Sequence, residues 1–499
     1  MRHLPRGYWS SPGGVAAMIA AGLLVAVLVA LESLSAAVRT TTDPLAVTVV
    51  ETNPATGETL ASEPALELSA TRPAAGTPVI DVDTAVRLQR ITGFGGAMTD
   101  SSAELIERHL STAARGDLMA DLFGVGGLGL NTLRVPMGAS DFSATEVPYS
   151  YDDGAPDPAL QRFSIAHDTR YILPALRQAL ANDPRLQILA TPWSVPGWMK
   201  ANDALDDRGR TGTLLPADFS AYAAYFVKFL RAYAKAGVRV AAITPANEPT
   251  TPTAYPGMNI SAATEVELIN RYLTPALRAA RLTVKLYGSD LGWGTAAYAR
   301  RVATSAAAGD LAGIAWHCYY GDPRVMSQVR ALDPRLSVQM TECSPGIATV
   351  AISEVVIGSL RNWASQVDLW NLALDPEGGP VQPPNHGCGG CSGLVTINPQ
   401  TGTVSADESY WELGQASEFI EPGAVRVRSN SFVRYDYTQP GADYISAGID
   451  DVAAVNPDGS IALMAYNNAR RPRTFAVRWQ DRSFSDTLAP GATVSFRWR

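Results

Sequence analysis

Two glutamates end strand-like apolar runs in this chain of 499 residues. "ITPANEP" (243–249) leads through Asn247 into Glu248, and "LSVQMTEC" (336–343) leads into Glu342, 94 residues further on. That interval is about two to three βα units, enough to set the two acids across the mouth of a parallel barrel from one another. Two facing carboxyls can hydrolyse a glycoside: one gives its proton to the departing glycosidic oxygen while the other, ionised, attacks the anomeric carbon. A single glutamate is more often a solvated loop acid or the ion-pair partner of a residue such as Arg134. That plainer reading weakens here because other strand-like runs end on a matching set. Arg134 and Asp141 follow one, Trp193 another, Asp290 another, His317 and Tyr319 the next, and Trp370 with Asn371 the last.

Those residues need strands whose carboxyl ends converge. From about residue 91, the runs "LGLNTLRVP", "LQILATPWS", "VAAITPANEP", "TVKLYGSD", "GIAWHCYY", "LSVQMTEC" and "VDLWNLAL" alternate with segments of helical period. One of these, "ADFSAYAAYFVKFLRAYAKAG", has an Asp-Phe-Ser start and a glycine stop. Alternation over some 320 residues predicts an α/β protein with a (β/α)₈ barrel, whose active site lies at the carboxyl ends of its strands. Both flanks read as β-structure instead. "LAVTVVET", "ALELSA" and "TPVIDVD" precede the barrel, and "AVRVRSN", "ISAGIDD", "IALMAYNN", "RTFAVRWQ" and "ATVSFRW" follow it.

Composition sets the outer limits. With 46% hydrophobic and 18% charged residues the chain is globular, and a net charge of −8 without long single-sign runs makes nucleic acid a poor partner. Arg2 and Arg6 precede an uncharged Ala/Leu/Val-rich run from Val15 to Leu31 and the small residues Ser35-Ala36-Ala37, so residues 1–37 read as a signal peptide. Export is the expectation. An uncleaved anchor, with the catalytic part outside, is the alternative and the only membrane contact implied. Four cysteines suit an exported protein with a few local staples. Cys388 and Cys391 in "NHGCGGCSG" read as a local disulfide; with His386 they could instead begin a zinc site, but a fourth ligand is missing. Cys318 and Cys343 each follow a candidate site residue, His317 and Glu342. If those two point into the barrel mouth, alternation turns both cysteines outward on neighbouring strands, as a bridge or as two buried thiols.

In order, "ITGFGGAMTDSSA", "LRVPMGASDFS", "ATPWSVPGWMK", "ITPANEPT", "GIAWHCYYGD", "QMTECSPG" and "DLWNLALDPEGGP" resemble the glucosylceramidase-type retaining glycosidases of family 30. The resemblance implies a barrel over residues 91–414 and a side β-sandwich built from both chain ends, residues 38–90 and 415–499. It implies Glu248 as acid/base and Glu342 as nucleophile, with no metal or organic cofactor. Asn247 then meets the sugar 2-hydroxyl, Asp141 and Trp193 the outer hydroxyls, Trp370 the sugar face, and Asn385 a late polar contact. Tyr319 donates toward the catalytic carboxylates, Arg134 keeps the nucleophile ionised, and His317 supports them. The implied substrate is a β-glucoside, glycolipid or oligosaccharide, with glucosylceramidase or a related β-glucosidase as first reading. An endo-β-1,6-glucanase or other polysaccharide hydrolase of the family is the alternative; a non-catalytic carbohydrate-binding protein is a reading from another class. Departures bear on the leaving group. Cys318 stands where the lipid-cleaving relatives carry tryptophan, and "VQPPNHGCGGCSG" differs from their loop.

Overall fold

Eight parallel strands close into a barrel in the computed structural model, which describes residues 45–206, 212–348, 350–382, 388–431 and 448–499. They are β1 (Gly93–Ala97), β2 (Thr132–Pro136), β3 (Gln187–Thr191), β4 (Val240–Ile243), β5 (Lys285–Gly292), β6 (Gly313–His317), β7 (Ser337–Glu342) and β8 (Ala364–Leu369), each bonded to the next and β8 back to β1. Seven of them overlap the runs expected from sequence, β8 starting before its run and β5 ending after its own. The eighth, β1, is "GFGGA", and its run of glycines without a β-branched residue gave no strand signal. Its glycines serve close packing instead: a Cβ on Gly95 would collide with the Thr132 carbonyl of β2. The segment expected to be helical from its Asp-Phe-Ser start is helical over Phe219–Lys235 and stops before Gly237, which holds a positive φ of 84°.

Both β-rich flanks join one nine-stranded sheet. In spatial order its strands are Arg482–Leu488, Arg473–Trp479, Val79–Arg90, Val425–Arg428, Ile449–Val455, Ile461–Asn467, Thr493–Trp498, Leu45–Asn53 and Glu58–Leu68. Ser69 bridges to Ser483, so the two edges fold toward each other over a core that includes Val47, Leu68, Phe475, Phe484, Phe496 and Trp498. N-terminal and C-terminal strands are thus interleaved within one side domain. The helix Glu408–Ser417 runs across residue 414, the expected end of the barrel region. The targeting segment, Asn385 and His386 lie outside the described residues. Among the described residues no helix is long and apolar enough to cross a membrane.

The junction between barrel and side domain is polar and specific. The first amide of helix Ile352–Arg361 donates to Glu412 Oε2 at 2.9 Å, and Ser353 pairs with Thr493 across the interface at 2.7 Å. Arg361 bonds the Asp451 carbonyl at 2.8 Å. Two of the carboxyls buried here are glutamates. Burial, with Asp450 nearby, pushes Glu354 up to about 8, and burial beside Glu408 pushes Glu412 up to about 7. Below the ordinary glutamate range, folded and unfolded chains both hold these protons, and the stability is full. As pH rises toward 8 only the folded chain holds them, so stability is lost over that window. The thermal midpoint should therefore fall between pH 5 and pH 8.5, and Glu354→Gln should keep a midpoint at pH 8.5 about 2–4 °C above the parent's, with little difference at pH 5. Differential scanning calorimetry at the two pH values checks this; a pH-independent difference would contradict it.

Candidate active site

The barrel's carboxyl ends gather the catalytic candidates around one buried carboxylate. Asp290 lies near the end of β5, where the register with β6 shifts between Ser289 and Leu291 and both Ser289 and Asp290 take left-handed φ values of 78° and 55°. Glu265 holds this bulge from outside the barrel: Oε1 accepts the Ser289 amide at 2.8 Å and Oε2 accepts the Tyr298 hydroxyl at 2.6 Å. The bulge turns Asp290 inward, where it accepts four hydrogen bonds. Oδ2 takes Arg134 at 2.9 Å and Thr244 at 2.8 Å; Oδ1 takes His317 Nε2 at 3.2 Å and Thr341 at 2.6 Å. Full burial opposes its charge, but Arg134, His317 and Thr341 outweigh that and hold its carboxyl well below the usual range.

Both cations carried by Asp290 reach the two glutamates. Fully buried Arg134 ion-pairs with Glu342 Oε2 and also donates to Asn247 Oδ1 at 2.8 Å. His317 Nδ1 donates to Glu248 Oε1 at 2.9 Å and lies 3.5 Å from Glu342 Oε1. Burial opposes the charge on His317, yet Glu342, Asp290 and Glu248 raise it to about 10, so the ring is an imidazolium at neutral pH. Burial pushes Glu342 upward, and His317 and Arg134 restrain that rise. Glu248 opens a tight turn, its carbonyl accepting the Thr251 amide at 2.9 Å, with φ 41°, and its own amide donates to the Asp290 carbonyl at 3.1 Å.

Glu248, His317 and Glu342 place one ligand atom each within 4.8 Å of one another, a spacing that could hold a metal ion. Both ring nitrogens of His317 are already donating, and a metal needs a neutral imidazole with a free lone pair. The arrangement instead suits proton and group transfer between two carboxyls. One oxygen of each lies within 4.8 Å of the other, well short of the roughly 6.5–9.5 Å by which an inverting pair makes room for its water, and on the side of a retaining pair.

Beside the acids lies a cavity of about 240 Å³ lined by Asp141, Trp193, Asn247, Tyr255, Tyr319, Tyr320 and Trp370 together with both glutamates. Trp193 and Trp370 stack at 4.9 Å, and Arg134 lies over the Trp193 ring at 4.8 Å. Tyr319 hydrogen-bonds Glu342, and burial, with the neighbouring carboxylates, raises its hydroxyl well above the ordinary range. Asp141 Oδ1 is buried without a partner. Every described residue singled out as a binding or supporting candidate is therefore at this mouth. Sequence reasoning noted Asp290 as a polar strand end but gave it no role, and it missed Thr244, Thr341 and Tyr255. Only Asp290 had a visible signal, its place after the run "TVKLYGS".

The cysteines also pair. Cys318 and Cys343 form a disulfide with Cα atoms 5.2 Å apart, and the Cys318 amide bonds the Glu342 carbonyl at 3.2 Å. Cys388 is bonded to Cys391.

Residues 91–420 match the Glycosyl hydrolase family 30 TIM-barrel domain, and residues 423–496 the Glycosyl hydrolase family 30 beta sandwich domain. The chain belongs to glycosyl hydrolase family 30. As a member of that family it is a retaining O-glycoside hydrolase, which sets aside the non-catalytic reading. It is 34% identical over 408 residues to an endo-1,6-beta-D-glucanase of Aspergillus fumigatus, covering 78% of this chain and 80% of that protein. It is 29% identical over 445 residues to the lysosomal acid glucosylceramidase of Mus musculus, covering 83% and 82%. A solved endo-beta1,6-glucanase superposes with a TM-score of 0.78 at 26% identity, covering 91% of this chain and 99% of the other.

Asp290 generates a prediction for this family 30 site. Asp290→Asn keeps the shape but leaves Arg134 and His317 without their shared anion, so kcat on an aryl β-glucoside should fall by about 10²-fold. Removing a negative neighbour also lowers the pKa of His317, so the alkaline limb of the pH profile should move to lower pH. A profile that loses amplitude without that displacement would show that Asp290 does not govern the His317 proton.

Proposed function

We propose that this family 30 enzyme hydrolyses β-glucosidic bonds of a glucan, β-1,6-linked, through a covalent glucosyl-enzyme. In the first step Glu342 attacks the anomeric carbon while Glu248 gives its proton to the glycosidic oxygen, which leaves as an alcohol. In the second, Glu248 takes a proton from water as that water displaces Glu342. Trp370 and Trp193 form the apolar wall for the glucose ring, Asn247 meets its 2-hydroxyl, and the unpartnered Asp141 Oδ1 receives a hydroxyl that would otherwise leave it unsatisfied. Tyr319 and Arg134 hold Glu342 in place for attack.

One observation carries the choice of leaving group. Five large apolar residues are exposed among the described residues, and Tyr320 is the only one of them that lines the cavity. Beyond the residues already named, the lining is Thr251, Thr295, Gly292, Gly294 and Cys388 with two aliphatic side chains, Leu291 and Ile347, a mixed surface that suits hydroxyl-bearing sugar and offers only a small apolar area to two alkyl chains. The endo-1,6-glucanase relatives at 34% identity point the same way. Glucosylceramide is the second reading, supported by the 29% identical glucosylceramidase. The two disulfides also support an exported enzyme working in an oxidising compartment.

The acid assignments predict distinct failures. Glu342→Ala should lower kcat by about 10⁴-fold or more on every substrate, with azide restoring turnover as product of inverted configuration. Glu248→Ala should cost about 10²–10⁴-fold on substrates with poor leaving groups and far less on activated aryl glucosides. Retained activity in the first variant, or equal losses in the second, would overturn the roles. For substrate class, the purified enzyme should release glucose or short oligosaccharides from β-1,6-glucan. Turnover of glucosylceramide with none of the glucan would establish the second reading instead.

A further inference from the structure

The two catalytic glutamates divide the barrel mouth into unequal arcs. Glu248 follows β4 and Glu342 ends β7, so the arc through β8, β1, β2 and β3 carries Trp370, Asp141 and Trp193, the walls of the proposed glucose pocket. The remaining arc holds the ends of β5 and β6. Its cavity-lining residues are Leu291, Gly292, Gly294, Thr295, Tyr319 and Tyr320, and with the glucose ring seated on the first arc the bond to be cut must lead out over this second one.

Tyr320 dominates that exit. It is 69% exposed, lines the same cavity as both catalytic acids, and makes no hydrogen bond within the described residues. Its backbone is left-handed, φ 51°, an uncommon conformation for a bulky residue that persists only where surroundings impose it. Those surroundings are visible on both sides of the turn. Cys318 is tied to Cys343, and the 318–321 turn packs so closely on the end of β5 that a Cβ on Gly292 would meet the Tyr319 carbonyl at 2.5 Å. A Cβ on Gly321, itself at φ 107°, would meet the Gly294 amide at 2.5 Å. The turn is therefore braced by a disulfide at its start and by glycine contacts along its length, while the side chain it presents is largely exposed among the described residues.

We propose that Tyr320 is the platform on which the leaving-group sugar stacks, a specificity-determining contact resting on the glucan reading of the substrate. An aromatic face binds the apolar face of a pyranose well, and a ring fixed in advance loses little freedom when the sugar arrives. The contact acts on the leaving group and not on the glucose ring. It therefore discriminates between substrates that have a sugar there and those that do not.

The test compares a β-1,6-linked glucose trisaccharide with β-glucosyl fluoride, whose leaving group is too small to reach Tyr320. Tyr320→Ala and Tyr320→Gly are both measured, the second because glycine accepts the left-handed backbone without strain. Each variant should lose about five- to tenfold in kcat/KM on the trisaccharide and stay within about twofold on the fluoride, whereas Tyr320→Phe should match the parent on both. Unchanged trisaccharide turnover, or a Tyr320→Gly variant that loses equally on both substrates, would overturn the platform while leaving the substrate class standing. The parent's own rate on the trisaccharide reads that class separately: if the parent cleaves the fluoride and not the trisaccharide, the glucan reading fails, and the sugar platform with it.

Discussion

The active site depends on a carboxylate that touches no substrate. Asp290 is fully buried, and such a charge is tolerable only because four donors converge on it. Two of those donors are the cations that reach the catalytic acids, Arg134 to Glu342 and His317 to Glu248. One anion thus sets the position of both acids relative to each other. Electrostatically the cluster alternates in sign, and each member's charge is stabilised by its neighbours where burial alone would have extinguished it.

Geometry of this kind needs a backbone that does not relax. The bulge at Ser289-Asp290 is held by Glu265 and Tyr298 from the helical layer, the left-handed turn at Glu248 is tied to the Asp290 carbonyl, and β1 comes close to β2 because Gly95 has no side chain to keep it away. Strained conformations collect at the carboxyl ends of the strands, where the chemistry is. The opposite tendency holds in the helix Phe219–Lys235, whose apolar face simply covers the barrel.

Much of this could be read before any coordinates. Apolar runs ending in Asn247-Glu248 and Glu342 placed the acids, and alternation past His317 and Glu342 turned Cys318 and Cys343 to the same side, where they meet. Three things were hidden for physical reasons. β1 has a composition that favours no secondary structure and forms because two neighbouring strands need something thin between them. The role of Asp290 arises from contacts with residues as distant as Arg134, 156 positions away in the chain, which no local pattern encodes. Tyr255 lies in an irregular loop, and only the closed fold brings it to the cavity. Interleaving of the terminal strands was also invisible from periodicity, which reports that strands exist but not which neighbours they choose.

That interleaving imposes an order on synthesis. Val79–Arg90 pairs with Val425–Arg428, and Thr48 faces Arg497, so although Leu45–Asn53 and Glu58–Leu68 can pair with each other at once, the other neighbours of these N-terminal strands arrive only when nearly the whole chain has followed. At about 5–20 residues per second, the 335 positions between Arg90 and Val425 represent roughly 17–67 s during which unpaired strand edges stand open. The nascent N-terminal segment must be kept from pairing with strangers for all of that time. Its second strand, "ETLASEPALEL", carries three glutamates and a proline, a composition that resists edge-to-edge association while the chain waits for its own last hundred residues.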